Sequence, residues 1–122
     1  MNPHLFVYGT LQASYTNPFA RFLHENATFL GEAKMPGAKM DLGQYPGAKY
    51  MEQSDQFVFG QIFLMSDPGK VLSVLDEYEC IGPAYPEPHQ FIRKECHIFF
   101  KKTILKCWVY LYNWPFEQDG YH

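Results

Sequence analysis

The sequence predicts an α+β fold: a small, mixed and partly closed β-barrel of about six or seven strands, with one main helix and a short helix packed against it. The 122 residues have the length of a single domain, residues 1–122. The aromatic fraction is 18%, which favours strands with bulky inward side chains. The predicted strands are joined by short connections, which favour antiparallel neighbours.

The first strand is predicted over residues 5–8, Leu-Phe-Val-Tyr, because an apolar run that ends at Gly9 is typical of a buried strand. A polar, turn-like stretch follows and ends in Asn17-Pro18. A short amphipathic helix is then predicted over residues 18–25.

The middle of the chain is predicted to be mostly extended. Residues 27–35 form one strand, and residues 56–64 form a second strand whose two faces are both apolar. Between them, the segment from Pro36 to Pro46 is rich in Gly, Pro and Tyr, which indicates short strands and tight turns.

The main helix follows that second strand. Asp67 is a suitable N-cap, and Pro68 fits the first turn. Apolar residues then occur at helical spacing, namely Val71, Val74, Leu75 and Tyr78. Gly82-Pro83 ends the helix, and a loop rich in Gly, Pro and acidic residues follows.

The last two strands are long. Residues 91–100 and 104–112 are predicted to pair as a hairpin across Lys101-Lys102-Thr103. The tail, residues 113–122, shows no periodicity.

The charge balance and the hydropathy argue against two kinds of partner. Lys plus Arg number 10 and Asp plus Glu number 13, so no strongly basic face for nucleic-acid binding is expected. No apolar run approaches the roughly 20 residues of a membrane helix. The N-terminus, Met1-Asn2-Pro3-His4, has no basic start followed by a long apolar stretch, so no secretion signal is expected.

The cysteines and histidines indicate neither a disulfide framework nor a metal site. Cys80, Cys96 and Cys107 are odd in number and widely spaced, so they are predicted to be reduced, partly buried thiols of a cytoplasmic protein. The five histidines have no metal-type spacing and are expected at surface or edge positions. No metal site is therefore expected.

One acidic residue lies on the apolar side of the main helix. With Leu75 at 0°, Glu79 falls at about +40°, inside the apolar arc, whereas Glu77 falls on the opposite side. Burial of a carboxyl group raises its pKa, which suits a proton shuttle near neutral pH. The alternative is that the helix unwinds at Tyr78, so that Glu79 faces water or pairs with Arg93.

The turn after the first strand, Tyr8-Gly9-Thr10-Leu11, is the second candidate site. Gly9 allows a sharp turn and a close approach of a ligand to the backbone. Backbone N–H groups in such a turn can converge on an anion. The alternative is an ordinary turn that ends a strand.

Short motifs occur in order along nearly the whole chain. They are Tyr8-Gly9-Thr10-Leu11 followed by Asn17, Tyr45-Pro46-Gly47, Val58-Phe59-Gly60-Gln61-Ile62, Leu75-Asp76-Glu77-Tyr78-Glu79, Phe91-Ile92-Arg93 and Trp108-Val109-Tyr110. This series resembles the motifs of the γ-glutamylcyclotransferase-like family. No single motif is specific, but their common order is a strong resemblance.

The resemblance implies a small barrel-like fold with one cavity, and a reaction without cofactors. In that reaction the α-amine of a γ-glutamyl group attacks its own side-chain carbonyl and leaves 5-oxoproline. The resemblance also implies Glu79 as the general acid/base, and Tyr8, Gly9, Thr10 and Leu11 as the loop that binds the α-carboxylate of the substrate. The implied partner is a small γ-glutamyl amine, amino acid or peptide.

Tyr45, Arg93 and Tyr110 are candidate lining residues of that cavity. Arg93 either holds a substrate carboxylate or pairs with an acidic neighbour. Tyr110 lies on the last strand, where an ordinary core position is an equal alternative.

Three departures from the family pattern concern the substrate. Gln61 stands where Glu is usual, Ser14 or its neighbours replace a Gly, and residues 80–90 form a longer loop than in many relatives. This loop is expected to cover the cavity or to narrow the choice of leaving group. A non-catalytic module that binds a ligand or partner, and a hydrolase in which water replaces the α-amine, stay open as alternatives. The sequence predicts neither the leaving group nor the oligomeric state.

Overall fold

The structure is a computed structural model that describes residues 1–116. Its elements are, in chain order, β1 (His4–Val7), α1 (Pro18–Glu25), β2 (Ala27–Asp41), β3 (Pro46–Tyr50), β4 (Phe57–Met65), α2 (Pro68–Tyr78), β5 (Phe91–Phe100) and β6 (Thr103–Tyr112). Within these 116 residues, no helix is both long enough and apolar enough to cross a membrane. The aperiodic tail predicted over 113–122 lies partly outside the described residues.

The strands of residues 1–116 form one sheet in the order β3-β2-β4-β1-β6-β5. A further pairing between Lys34 of β2 and Phe99 of β5 closes five of these strands into a barrel, and β3 extends the sheet from β2. The observed pairings are antiparallel, apart from the parallel pairing of β1 with β6 at Leu5 and Trp108. The predicted α+β class with a small mixed barrel is confirmed.

β1 contributes to both hydrophobic cores. Phe6, together with Tyr8 just after the strand, belongs to the core inside the barrel. The alternate residues Leu5 and Val7 point to the other face and pack with the helices. Gly60 on β4 makes this close packing possible. A Cβ atom at Gly60 would lie only 2.2 Å from the Val7 carbonyl oxygen and 2.8 Å from the Phe6 ring.

The two helices cover the outer side of the sheet near β1. The Asn17 side chain caps α1 and the Asp67 side chain caps α2, each by accepting a hydrogen bond from a backbone N–H. Leu23 of α1 and Leu75 of α2 are fully buried in the second core. Both helices begin at the predicted residues, Pro18 and Pro68, although of the two caps only Asp67 is identified from the sequence.

β2 is longer than predicted. It continues to Asp41, although the sequence predicts its end at residue 35. β2 pairs with β4 as far as Pro36 and with β3 from Gly37 onwards. The Pro and Gly therefore mark a change of partner within one strand and not a turn.

Cys80 is exposed, and the prediction of a buried thiol at this position is wrong. The residue follows the last turn of α2 with a φ of 59°, so it has left the apolar face of the helix. Cys96 and Cys107 are buried inside the barrel, as predicted. Burial raises the pKa of these two thiols to about 11 and about 12.

Candidate active site

A cavity of about 220 Å³ opens where the end of β1, the end of α2 and the start of β5 meet. This volume is below the roughly 300–1,000 Å³ of sites for drug-sized ligands, so the cavity suits a small molecule. The 8–11 loop, which comprises Tyr8, Gly9, Thr10 and Leu11, lines one part of it. Glu79 lines the cavity as well. The loop and the carboxyl group singled out by the sequence thus share one cavity.

Glu79 is the C-cap residue of α2. Its backbone N–H donates to the Leu75 carbonyl oxygen at 2.9 Å, so the helix does not unwind before this position. Burial and, as the smaller cause, the charge of Asp76 together raise the pKa of the Glu79 carboxyl group from 4.5 to about 7. No donor among residues 1–116 forms a hydrogen bond with this carboxyl group. Its free oxygens can therefore exchange a proton with a bound molecule.

Asp76, on the same last turn, is held by three hydrogen bonds. Arg93 donates from Nε to Oδ1 at 2.9 Å and from Nη2 to Oδ2 at 3.1 Å. The Tyr110 hydroxyl donates to Oδ1 at 2.7 Å. Arg93 also lies over the Trp108 ring, 4.5 Å from its centroid. This network ties the end of α2 to β5 and β6.

Two of the three residues predicted to line the cavity do so. Tyr45 and Tyr110 line the cavity. Arg93 does not: its guanidinium group is bound to Asp76 and borders a separate depression beside α2. Arg93 therefore pairs with an acidic neighbour, which is one of the two roles predicted for it. That neighbour is Asp76 and not Glu79.

The 8–11 loop is fixed by side chains from outside it. The Asn17 amide donates to the Thr10 carbonyl oxygen at 2.8 Å while its own oxygen caps α1. Thr10 and Tyr78 share a hydroxyl–hydroxyl hydrogen bond of 2.8 Å, which links the loop to the end of α2. Just after the loop, Gln61 of β4 accepts a bond from the Ala13 backbone N–H at 2.7 Å. These bonds hold the loop in a fixed position beside Glu79.

The backbone donors of this loop are available to a ligand. Within the described part of the chain, the N–H groups of Gly9, Thr10 and Leu11 donate to no backbone or side-chain acceptor. Gly9 packs closely on Pro46. A Cβ atom at Gly9 would lie only 3.1 Å from the proline Cγ. A close set of free N–H groups attracts an anion.

Tyr8 connects the loop to the barrel interior. Its hydroxyl donates to the Tyr110 carbonyl oxygen at 2.6 Å and accepts from the Ala48 N–H at 3.2 Å. Burial raises the pKa of this phenol well above its ordinary value. The hydroxyl therefore stays protonated and acts as a fixed link between β3 and β6.

A further part of the cavity surface is formed by Tyr45, Gln90 and Phe91, which we call the aromatic wall. The Tyr45 hydroxyl donates to Gln90 Oε1 at 3.2 Å, and the rings of Tyr45 and Phe91 lie 5.9 Å apart between centroids. Gln90 ends the long loop predicted to cover the cavity.

Sequence reasoning missed four residues of the site: Asn17 as the loop anchor, and Gln61, Tyr78 and Gln90. Asn17, Gln61 and Tyr78 belong to the motifs quoted above, but the motifs alone did not indicate which contacts these side chains make. Gln90 carries no local signal. Among residues 1–116, no group of three or more His, Cys, Asp or Glu side chains is arranged to hold a metal ion.

The chain is similar to proteins of one family. The family model "Gamma-glutamyl cyclotransferase, AIG2-like" matches residues 5–122. The chain is 31% identical over 113 residues to the gamma-L-glutamyl-butirosin B gamma-glutamyl cyclotransferase of Niallia circulans. The matched region covers 91% of this chain and 67% of that protein.

Two solved structures share the fold. YkqA from Bacillus subtilis has a TM-score of 0.70 and 18% identity, over 93% of this chain and 36% of that chain. An AIG2-like protein from Mus musculus has a TM-score of 0.64 and 23% identity, over 89% of this chain and 76% of that chain. The present chain thus spans little more than a third of YkqA but most of the mouse protein. Because the family model matches almost every residue from β1 onwards, this protein belongs to the AIG2-like γ-glutamyl cyclotransferase family of enzymes.

Proposed function

We propose that this protein is a γ-glutamyl cyclotransferase that releases 5-oxoproline from a small γ-glutamyl substrate, with Glu79 as the general acid/base. One observation carries the proposal: a carboxyl group with a pKa of about 7 shares a cavity with the free backbone N–H groups of the 8–11 loop. The reaction named for the Niallia circulans relative supports the same reaction class.

The chemistry requires one proton shuttle. The α-amine attacks the γ-carbonyl carbon, a new C–N bond closes the five-membered ring, and the bond to the leaving nitrogen breaks. Glu79 takes the proton that the attacking amine loses and gives it to the departing nitrogen. Ring closure is intramolecular, so its entropic cost is small. With a pKa of about 7, Glu79 both accepts and returns the proton near neutral pH.

The 8–11 loop supplies the binding part of the reaction. Its N–H groups hold the α-carboxylate of the substrate, which places the adjacent α-amine within the cavity. Donors of this kind also stabilise negative charge that develops on the carbonyl oxygen. The Thr10–Tyr78 bond keeps this anion site in register with Glu79.

We extend the proposal to residues 1–122 as one domain that acts in the cytoplasm. The free thiols of Cys80, Cys96 and Cys107 support a reducing compartment.

The proposal is tested by 5-oxoproline release from a panel of γ-glutamyl amines, amino acids and peptides. Glu79→Gln keeps the shape of the side chain but removes the proton shuttle, so kcat is expected to fall by about 10²–10⁴-fold. Glu77→Gln is the matched control, since Glu77 is exposed on the same turn and, among residues 1–116, its side chain accepts a hydrogen bond only from the Tyr85 hydroxyl. This control is expected to stay within about twofold of wild type.

Equal turnover by wild type and Glu79→Gln would contradict the proposal. Free glutamate in place of 5-oxoproline would instead identify a hydrolase. Tight binding of γ-glutamyl compounds without any product would identify a binding module.

A further inference from the structure

Three consecutive carbonyl groups of the 8–11 loop accept hydrogen bonds from side chains. The acceptors are Gly9, Thr10 and Leu11, and their respective donors are Gln12, Asn17 and His24. All three donor residues lie outside the cavity lining formed by the described residues. The peptide bonds of the loop are trans, so each carbonyl group and the N–H of the next residue point in opposite directions. The donors therefore turn the N–H groups of Thr10 and Leu11 towards the cavity.

His24 approaches the loop from α1 in a fixed orientation. Its ring stacks on that of the buried Phe63, with 5.4 Å between the centroids and 12° between the planes. Its Nε2 atom lies 3.0 Å from the Leu11 carbonyl oxygen. Because a carbonyl oxygen can only accept, Nε2 carries the hydrogen of this bond. The stacking on Phe63 thus fixes the direction from which the bond reaches the loop.

The hydrogen bond from His24 continues through two peptide groups. The Leu11 carbonyl shares a peptide group with the Gln12 N–H, which donates to the Gly9 carbonyl oxygen at 3.2 Å. The Gly9 carbonyl in turn shares a peptide group with the Thr10 N–H, which donates to no protein acceptor within residues 1–116. Hydrogen bonds in such a chain polarise one another and strengthen the donor at its end. That last donor is one of the free N–H groups of the loop.

We infer that His24 is a positioning residue for the anion site of the 8–11 loop, because it orients and polarises the Thr10 N–H through these two peptide groups. The inference rests on the proposed function, which assigns the α-carboxylate of the substrate to this loop. His24 itself does not line the cavity. Its effect therefore falls on the binding of the carboxylate and not on the proton transfer by Glu79.

Two variants separate the donor from the ring. His24→Leu removes the hydrogen bond, whereas His24→Gln keeps an amide N–H near the position of Nε2. In His24→Leu, KM for 5-oxoproline release is expected to rise about three- to tenfold with kcat within about twofold of wild type. The rise is limited because the Gln12 side chain also holds the Gly9 carbonyl group. His24→Gln is expected to restore most of the loss.

Two outcomes of these kinetics would overturn the inference. One is an unchanged KM in His24→Leu, or a fall in kcat alone. The other is a KM in His24→Gln as high as in His24→Leu, which would show that packing on Phe63 and not the donor holds the loop.

Two ligands that differ only in the anion test the same point without turnover. 5-Oxoproline carries the α-carboxylate, and its primary amide lacks this charge. In calorimetry, His24→Leu is expected to weaken the binding of 5-oxoproline about three- to tenfold and that of the amide by less than about twofold. Equal losses for the two ligands, or no binding of 5-oxoproline to wild type, would overturn the inference.

His89→Leu is the matched control, since His89 Nε2 also lies 3.0 Å from a backbone carbonyl oxygen, that of Gly82, outside the 8–11 loop. This variant is expected to leave the ratio of the two affinities unchanged. If it changes the ratio as much as His24→Leu does, the effect is not specific to the anion site and the inference fails.

The binding measurements also separate this inference from the proposed function. A selective loss of 5-oxoproline binding in His24→Leu supports the inference even if wild type releases no 5-oxoproline from any substrate. That absence of turnover would refute the proposed function alone. Turnover by wild type with an unchanged KM in His24→Leu would refute the inference alone.

Discussion

The surroundings of Asp76 and of Glu79 differ sharply, although both residues lie at the end of α2. Asp76 accepts three hydrogen bonds, two of them from the Arg93 guanidinium group, so its negative charge is balanced. Glu79 has no hydrogen-bond donor within residues 1–116, and burial raises its pKa to about 7. The comparison teaches that neighbours and not residue type separate a structural carboxylate from one that can exchange protons.

The largest expected effect is a gain of stability in Glu79→Gln at alkaline pH. The folded-state pKa of about 7 lies above the ordinary 4.5, so the folded protein holds this proton more tightly than the unfolded chain. The contribution of Glu79 to the free energy of unfolding is therefore complete below about pH 4.5 and is lost as pH rises through about 7. At pH 8 the variant is expected to exceed wild type by up to about 3 kcal/mol.

Urea unfolding at pH 8 and pH 4.5 measures this difference, which is expected to shrink towards zero at the lower pH. Glu77→Gln, the exposed control, is expected to change little at either pH. A Glu79→Gln variant less stable than wild type at pH 8 would show that the ionised carboxylate is satisfied in the folded protein, and the contrast with Asp76 would disappear.

Asp76→Ala is expected to lower the free energy of unfolding, whereas Glu79→Gln raises it. This change leaves the Arg93 guanidinium group and the Tyr110 hydroxyl without their acceptor. Because the side chains of the ion pair are 21% and 23% exposed, the expected loss is about 1–3 kcal/mol and not the larger cost of a fully buried pair. Glu52→Ala breaks the exposed contact with His97 and is expected to cost less than about 0.5 kcal/mol. Similar losses in the two variants, measured by urea unfolding, would contradict this assignment.

A smaller effect is expected on the pH dependence of the reaction. The charge of Asp76 raises the pKa of Glu79, so Asp76→Asn is expected to move the apparent pKa of kcat/KM to lower pH by less than about one unit. Profiles of 5-oxoproline release between pH 5 and pH 9 measure this shift. A displacement to higher pH in Asp76→Asn would exclude the proposed coupling between the two carboxyl groups.

The smallest effect is expected for Tyr78→Phe, which removes the hydroxyl bonded to Thr10. The expected cost is about 0.5–1.5 kcal/mol of stability and a several-fold increase in KM, with kcat nearly unchanged. Tyr85→Phe, which removes the exposed bond to Glu77, serves as the control. A fall in kcat with KM unchanged would place Tyr78 in the chemical step and not in holding the 8–11 loop.

The sequence predicted those parts of the fold and site that depend on local geometry. The periodicity of α2 identified Glu79 as the carboxylate on its apolar face. That prediction needs the last turn to stay helical, and α2 does continue to Glu79 as its C-cap residue. Asn17 and Asp67 set the helix starts through bonds to neighbouring backbone. Such features need no knowledge of the rest of the chain.

Features that depend on barrel closure could not be predicted in the same way. Gln61 reaches Ala13, and Tyr45 reaches Gln90, only after strands distant in sequence have paired. Arg93 has three acidic candidates near the end of α2, namely Asp76, Glu77 and Glu79, and it pairs with Asp76 once β5 has taken its place in the sheet. The end of β2 was misjudged for the same reason, because Pro36 and Gly37 mark a partner change that only the assembled sheet reveals.

The parallel pairing of β1 with β6 has a consequence for how the protein is made. Leu5 and Trp108 are neighbours in the sheet although almost the whole described chain separates them. During synthesis on the ribosome, β1 emerges early but lacks this neighbour until β6 has left the exit tunnel. Contacts between such distant segments slow folding, because the intervening loop must close first. The 8–11 loop continues directly from β1, so a nascent chain released before β6 is made has neither a closed barrel nor a complete cavity beside Glu79.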